Sequence, residues 1–328
     1  MKQQQTDPAA YTIKYSPEVR RTFAAAQEAG TPEAYQAYVN ATTAEQKRLG
    51  VLQPKILPDA AADQIAANFN AKVNGGENAA TLIEQQQEQW GSSFPEIAQQ
   101  LGSKLPAEAQ VIATGLPKDV AERMAFVAPL KDSELKAGLQ KGQSDEIDQA
   151  VQSHMQCFAQ SLQGQAGGIG TFATMHKAAV RTATSYVLQG DSPEKAAKKV
   201  VDAMVNDKYE FYGTYRVPKT LDTVAVSRGA TRALEQIQAG DLMPLPGLRG
   251  VTGEENAKQL QKAIVGGGAW VPTNDESGLA LTINGYRVLG NDGKPIVRSW
   301  AELQAEGLAS RESDASKIGR VRGLGITN

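Results

Sequence analysis

From the N-terminus to about residue 210 the pattern of apolar and polar positions reads as a succession of helices. One start signal recurs along it, in Ser16-Pro17-Glu18, Thr31-Pro32-Glu33 and Ser192-Pro193-Glu194. Each offers a hydroxyl N-cap, a proline at the first helical position and a carboxylate near the positive helix end. Phe94-Pro95-Glu96 is a weaker version. Gly30 and Gly50 stand where the first two helices should stop. Further helices are expected at 58–73, 78–89, 95–101, 106–113, 117–127 and 131–140, separated by breakers such as Asn74-Gly75-Gly76, Gly91-Ser92-Ser93 and Leu105-Pro106. Longer ones are expected at 144–162, 171–188, 192–205 and 219–238, joined by short connections that favour antiparallel neighbours in a bundle.

The period changes near the C-terminal end. Leu279, Leu281 and Ile283 alternate with Ala280 and Thr282, the mark of a half-buried strand. Asn284-Gly285 is a two-residue hairpin signal, because both residues accept positive φ. Residues 286–289 return, Asn291-Asp292-Gly293 turn again, and 295–297 form an edge strand, where Pro295 is tolerated. Ser299 and Glu302 have the spacing of a capping box for a closing helix. The predicted fold is therefore mainly α, a multi-helix bundle with a small C-terminal antiparallel β-meander. Its expected parts are an N-terminal helical segment (1–57), a helical bundle core (58–240), a linker helix near 253–265 plus the β-meander (241–309), and a flexible polar tail (310–328). The Pro- and Gly-rich stretch 240–250 supplies the clearest boundary, and 266–268 is a glycine joint. Between helices, the aromatic-dense stretch 209–217 is expected to act as an extended arm that buries Tyr209, Phe211, Tyr212 and Tyr215.

Composition narrows the function. The formal net charge is -2, which argues against a dedicated nucleic-acid binder. Only 6% of residues are aromatic, so the helices must pack largely through small side chains. The single cysteine, Cys157, excludes an internal disulfide framework and points to synthesis in a reducing cytoplasm. No stretch approaches the roughly 20 apolar residues of a membrane span, and the start lacks a signal-peptide pattern.

Candidate chemistry is sparse. His154 and Cys157 share a helix face at i and i+3, and His176 follows on the next helix. Zinc needs four good ligands, or three and a water, so a metal site is not expected. Gly164, Gly167, Gly168 and Gly170 follow a helix and lack the Gly-Lys-Ser/Thr ending of a phosphate loop, so a helix–helix hinge is expected. Asp275, Glu276 and Asp292 occupy predicted turns without calcium-loop spacing. Glu276-Ser277 matches the Glu-Ser pair of lytic transglycosylases, but it lies in a predicted β-turn rather than on a helix, and the downstream motifs are absent. No catalytic, cofactor-binding or metal-binding residue is therefore assigned. One anomaly is a span without Asp, Glu, Lys or Arg from Gln149 to His176, apart from its ends punctuated by Gln152, Gln156, Gln160, Gln163 and Gln165. It reads as a helix pair buried in the bundle with glutamines at its wet edges, or as a subunit interface or conduit wall, since charge is depleted at interface cores.

Three blocks, in order, carry a family resemblance: 82–91 with Phe94-Pro95, the aromatic arm from Tyr209 to Pro218, and the module from Trp270 to Trp300. Together they resemble the C-terminal region of large internal or ejection proteins of tailed-bacteriophage virions. Those proteins are much longer and often carry a lytic transglycosylase domain near their N-terminus, which this chain lacks. The resemblance implies a non-enzymatic virion structural protein, located in the capsid interior or near the portal. It would be made in the host cytoplasm, delivered to the host envelope on infection, and would help carry the genome across it. It further implies a homo-oligomer that contacts other virion proteins (portal, tail or further ejection proteins), with transient contact to genomic DNA and the host envelope, and no cofactor or small-molecule substrate. The alternatives are a peptidoglycan-degrading, lytic transglycosylase-like virion enzyme and a helical adaptor or scaffold.

Overall fold

The computed structural model describes residues 2–51, 53–165, 167–244, 252–273 and 275–323, and the side chains of all of these except Lys2 and 312–323. The chain is mainly α-helical with a small antiparallel sheet near its C-terminal end. It divides into two units, Met1–Ala150 with Thr174–Val200, and Val151–Ala173 with Val201–Asn328. Neither unit follows the expected segments.

In the first unit the helix starts are where their chemistry demands. Ser16 Oγ accepts from Val19 N at 3.5 Å to open Pro17–Ala29, and Thr31 Oγ1 accepts from Ala34 N at 3.4 Å to open Pro32–Arg48. Gly30 stops the former helix in the left-handed region at φ 63°, a conformation that costs an L side chain energy. The core is built of small residues: Ala178, Ala179, Ala183, Ala196 and Ala197 are fully buried, so backbones approach closely and little apolar area is spent per residue. The irregular stretch around 51–58 is stitched by amides. The buried Gln46 donates to Lys55 O at 2.7 Å and accepts from Lys55 N at 2.9 Å; Gln100 Oε1 accepts from Leu57 N at 2.9 Å; and Tyr38 OH donates to Ile56 O at 2.5 Å. The Gln100–Leu57 bond crosses the segment boundary expected after residue 57.

Most of the expected helices are present, at Asp59–Asn74, Ala79–Trp90, Phe94–Leu101, Ala107–Ile112 and Lys118–Val127 among others. The helix expected over 144–162 is two, Gln143–His154 and Gln156–Ser161, broken at Met155.

The second unit opens its sheet structure with a hairpin, β1 (Tyr209–Tyr212) and β2 (Tyr215–Pro218), whose closing pair is Tyr212 and Tyr215. The expected extended arm is thus folded back on itself. Gly213, at φ 68°, allows the tight reversal. Pairing puts Tyr215 and Val217 in the core and leaves Tyr209, Phe211 and Tyr212 half-buried. In the second sheet β4 (Gly278–Ile283) is central. The strand β3 (Gly268–Pro272) pairs along its length, with Trp270 opposite Leu281. Two short strands, β5 (Tyr286–Arg287) and β6 (Val297–Ser299), share its other edge. The edge strand lies slightly past its expected 295–297, because Pro295 makes only an isolated bridge to Leu289. Asn284 and Gly285 turn the β4–β5 hairpin at φ 50° and 81°, both positive as a type I′ turn requires. Strand β4 was expected to be half-buried. It is covered on both faces, because Ala280 and Thr282 are short and the Thr282 hydroxyl donates to Ala269 O at 3.0 Å.

One core joins β2, the helix Thr223–Glu235, the helix Gly253–Gly267 and the sheet, through Val217, Val226, Ala230, Ile264, Trp270, Leu279, Leu281 and Leu303. It therefore spans the boundary expected in the stretch 240–250, of which residues 245–250 lie outside the described residues. The closing helix Trp300–Gly323 starts at the expected capping box, with Ser299 N donating to Glu302 Oε2 at 2.7 Å and Glu302 N to Ser299 Oγ at 3.3 Å. It continues to Gly323, through most of the stretch expected to be a flexible tail; residues 324–328 lie outside the described residues. Up to Ser310 this helix packs closely on Thr223–Glu235. A Cβ on Gly229 would stand 1.9 Å from Leu303 O, a Cβ on Gly307 would stand 1.8 Å from Ala225 O, and Arg232 Nη1 donates to Ser310 Oγ at 3.0 Å.

Candidate functional site

The densest polar arrangement in the second unit is centred on Arg216 of β2, which hairpin pairing turns inward. Its guanidinium is 5% exposed and lies over the rings of Phe158, at 5.2 Å, and Tyr209, at 5.3 Å. Nη1 donates to Ser161 Oγ at 3.2 Å and to Gln165 Oε1 at 3.3 Å, and Nη2 is paired with Glu276 Oε1. Nε is buried with no hydrogen-bond partner. The Gln165 amide also donates to Pro272 O at 3.1 Å, so it ties the guanidinium to the end of β3.

Glu276 sits in the β3–β4 connection at φ 54°, in the left-handed region that non-glycine residues rarely occupy. Such a residue stores about 1–3 kcal/mol of strain and persists only where its surroundings hold it. Three bonds do so: the pair with Arg216, Tyr209 OH donating to Oε2 at 2.8 Å, and Trp300 Nε1 donating to the Glu276 carbonyl at 2.5 Å. Burial first, and then the Glu276 charge, push the Tyr209 phenol up to about 12, so it remains a donor at neutral pH. Burial holds the Lys208 ammonium below its ordinary range, with the Glu276 charge opposing that shift. Both carboxylate oxygens of Glu276 are already engaged. General-acid work needs a carboxyl group free to meet substrate in an apolar cleft. The arrangement instead fastens the β3–β4 turn, β1–β2 and the Gln156–Ser161 helix to one another.

The other residues singled out in the sequence are scattered. His154 is half-buried and Cys157 exposed, both in the second unit; His176 is in the first, 3.8 Å from Asp148. Among the described residues no group of three or more His, Cys, Asp or Glu side chains is placed to hold a metal ion. Gly164 and Gly167 turn the chain at φ 82° and 79° ahead of the helix Gly168–Val187, which is the connection the glycine cluster occupies. Asp275 Oδ1 accepts from Ser277 N at 3.2 Å and Ser277 Oγ at 2.8 Å; hydrogen bonds from Thr273 and Ser277 hold its carboxyl below the ordinary range. Asp292 Oδ1 accepts from Lys294 N at 3.0 Å. Asn274, which precedes Asp275, lies outside the described residues.

The uncharged span has one buried and one exposed side over 151–163, with its glutamines on the exposed side. Over 151–163, Val151, Met155, Phe158 and Leu162 are buried, while Gln152, Ser153, Gln156, Cys157, Gln160 and Gln163 are exposed. Just beyond, Ile169 is 90% exposed. One face thus packs inward, and the outward face carries no charge.

Sequence reading missed Arg216, although a cation set between Tyr215 and Val217 in an aromatic stretch is a signal of a buried, paired guanidinium. It also missed the buried Arg181, which in the first unit is paired with Glu108 and Asp132 and donates to Val127 O and Leu130 O, both at 2.7 Å. In the same unit a cleft of about 870 Å³ has an amide-rich lining that includes Asn40, Gln53, Gln99 and Gln100. No helix among the described residues is long and apolar enough to cross a membrane. Compared with protein-family models, curated proteins and solved structures, the chain matches none.

Proposed function

We propose that this chain is a non-enzymatic structural protein of tailed-bacteriophage virions, of the internal or ejection type. It works as a homo-oligomer, alongside portal, tail or further ejection proteins, in an assembly that delivers the genome across the host envelope. The observation that carries this reading is the exposed, charge-free face of residues 152–163. An ordinary solvated helix face carries charges. A face of amides and small polar groups is desolvated at lower cost, since no unpaired ion has to be buried. Ile169, six residues further along the chain, is an exposed apolar side chain in the same uncharged span. The engaged state of Glu276 favours a fastening role over catalysis at the Glu276-Ser277 pair. The order of the three sequence blocks supplies the virion setting.

Mass spectrometry of purified particles of the encoding phage tests the setting. The chain is expected among the particle proteins at a fixed copy number; its presence only in the infected-cell lysate would favour the helical adaptor or scaffold. Zymography on purified cell walls tests the enzymatic alternative, and clearing by the isolated chain would contradict the proposal.

A further inference from the structure

The second unit holds a groove of about 590 Å³ between the helix Gly253–Gly267 and the β4–β5 hairpin. Its apolar lining includes Met243, Leu260, Ala263, Ile283, Val288 and Leu289, and no Asp or Glu is among its described lining residues. Arg287 also lines it. Unlike Arg48, Arg181 and Arg216, which each face a carboxylate, Arg287 makes no ion pair among the described residues, and its Nη1 is buried without a hydrogen-bond partner. A buried donor left unpaired costs free energy that a matching acceptor would recover. Met243 and Leu289, at the same groove, are 41% and 37% exposed, so apolar surface there also remains in water.

We propose that this groove binds a linear alkyl monocarboxylate, a fatty-acid-like amphiphile, with the carboxylate on Arg287 and the alkyl chain along Leu260, Ala263 and Ile283. The charge pattern selects this occupant. One guanidinium whose Nη1 is unpaired, in a lining without competing carboxylates among the described residues, matches one monoanionic carboxylate through a charge-assisted pair. The long apolar remainder matches an alkyl chain, whose transfer from water into an apolar lining is favourable. A volume of about 590 Å³ falls in the range of small-molecule sites. The amphiphile is a ligand here; no bond is made or broken.

Isothermal titration of the full chain with laurate, kept below its micelle concentration, tests this. Saturable binding at one laurate per chain is expected, with dodecyltrimethylammonium bound at least tenfold more weakly. Arg287→Gln should weaken laurate at least tenfold. Leu260→Asn should weaken laurate while leaving Arg287 in place, and circular dichroism should show both variants folded. Absence of saturable laurate binding would overturn the proposal, as would equal binding by Arg287→Gln or equal binding of the cationic amphiphile. So would a change of oligomeric mass in Arg287→Gln with laurate binding unaltered, which would assign the groove to a second copy of the chain.

Discussion

Arg181 and Arg216 are both buried guanidinium groups, but they are completed to different degrees. Arg181 is paired with Glu108, itself 3% exposed, and with Asp132, and it also serves two backbone carbonyls. Arg216 keeps one donor unpartnered, rests on two aromatic rings, and leans on a glutamate that is 40% exposed and strained in its backbone. The first is an interior fastener. The second holds a surface turn in shape, and its partner has water within reach. Arg287 lies at the far end of this series, with no partner among the described residues. A charged side chain's role can therefore be ranked by how fully the protein itself satisfies it.

The comparison predicts its own largest effect. Arg181→Met strands the carboxylate of Glu108 in the interior and should cost about 3–5 kcal/mol. Arg216→Met leaves Glu276 able to turn to water and should cost only about 1–2 kcal/mol. Urea unfolding followed by tryptophan fluorescence separates the two, because Trp90 reports the first unit and Trp270 and Trp300 the second. Equal losses would break the distinction. Next in size is the helix pair beside the Arg216 unit's core. Gly229→Ala drives a Cβ into the Leu303 carbonyl, backbone that cannot swing aside, and should cost about 3 kcal/mol. Gly266→Ala, in an open helical position, should instead stabilise by about 0.5–1 kcal/mol. If both were neutral in urea melts, the close approach of Thr223–Glu235 and Trp300–Gly323 would be refuted.

The smaller effect concerns Tyr209. Its phenol is raised from 10 to about 12 in the folded chain, so between those values the unfolded chain loses the proton first. The folded state then binds more protons, and stability falls as pH rises. The stability this shift contributes is fully present below pH 10 and is lost as pH rises through about 12, roughly 3 kcal/mol in all at 1.36 kcal/mol per pH unit. Tyr209→Phe should show a shallower alkaline decline than the parent chain in pH-dependent unfolding. Identical slopes would contradict a Tyr209 phenol raised by burial and by the Glu276 charge.

Local signals in the sequence marked most elements correctly because each rests on chemistry within a few residues. Ser16, Thr31 and Ser299 cap, Gly30 stops, and Asn284-Gly285 turns without help from distant parts of the chain. What was not legible depends on pairing at long range. That 209–217 folds into a hairpin, that β4 is covered on both faces, and that the helix after Ser299 runs on past residue 310 are decided by neighbours far away in sequence. The candidate site was harder still. Arg216 meets Glu276 across 60 positions, and Arg181 meets Glu108 across 73, which no periodicity announces. The uncharged span was visible at once, but only the structure separated its buried face from its exposed one.

The central claim is that this chain acts through contacts made by the outward, charge-free face of residues 152–163. Multi-angle light scattering of the parent chain against Gln156→Lys and Gln160→Lys tests it most directly. The parent should have the mass of an oligomer, and each lysine should shift it toward the monomer with circular dichroism unchanged. A parent chain that stays monomeric at high concentration, or an oligomer indifferent to both lysines, would contradict it.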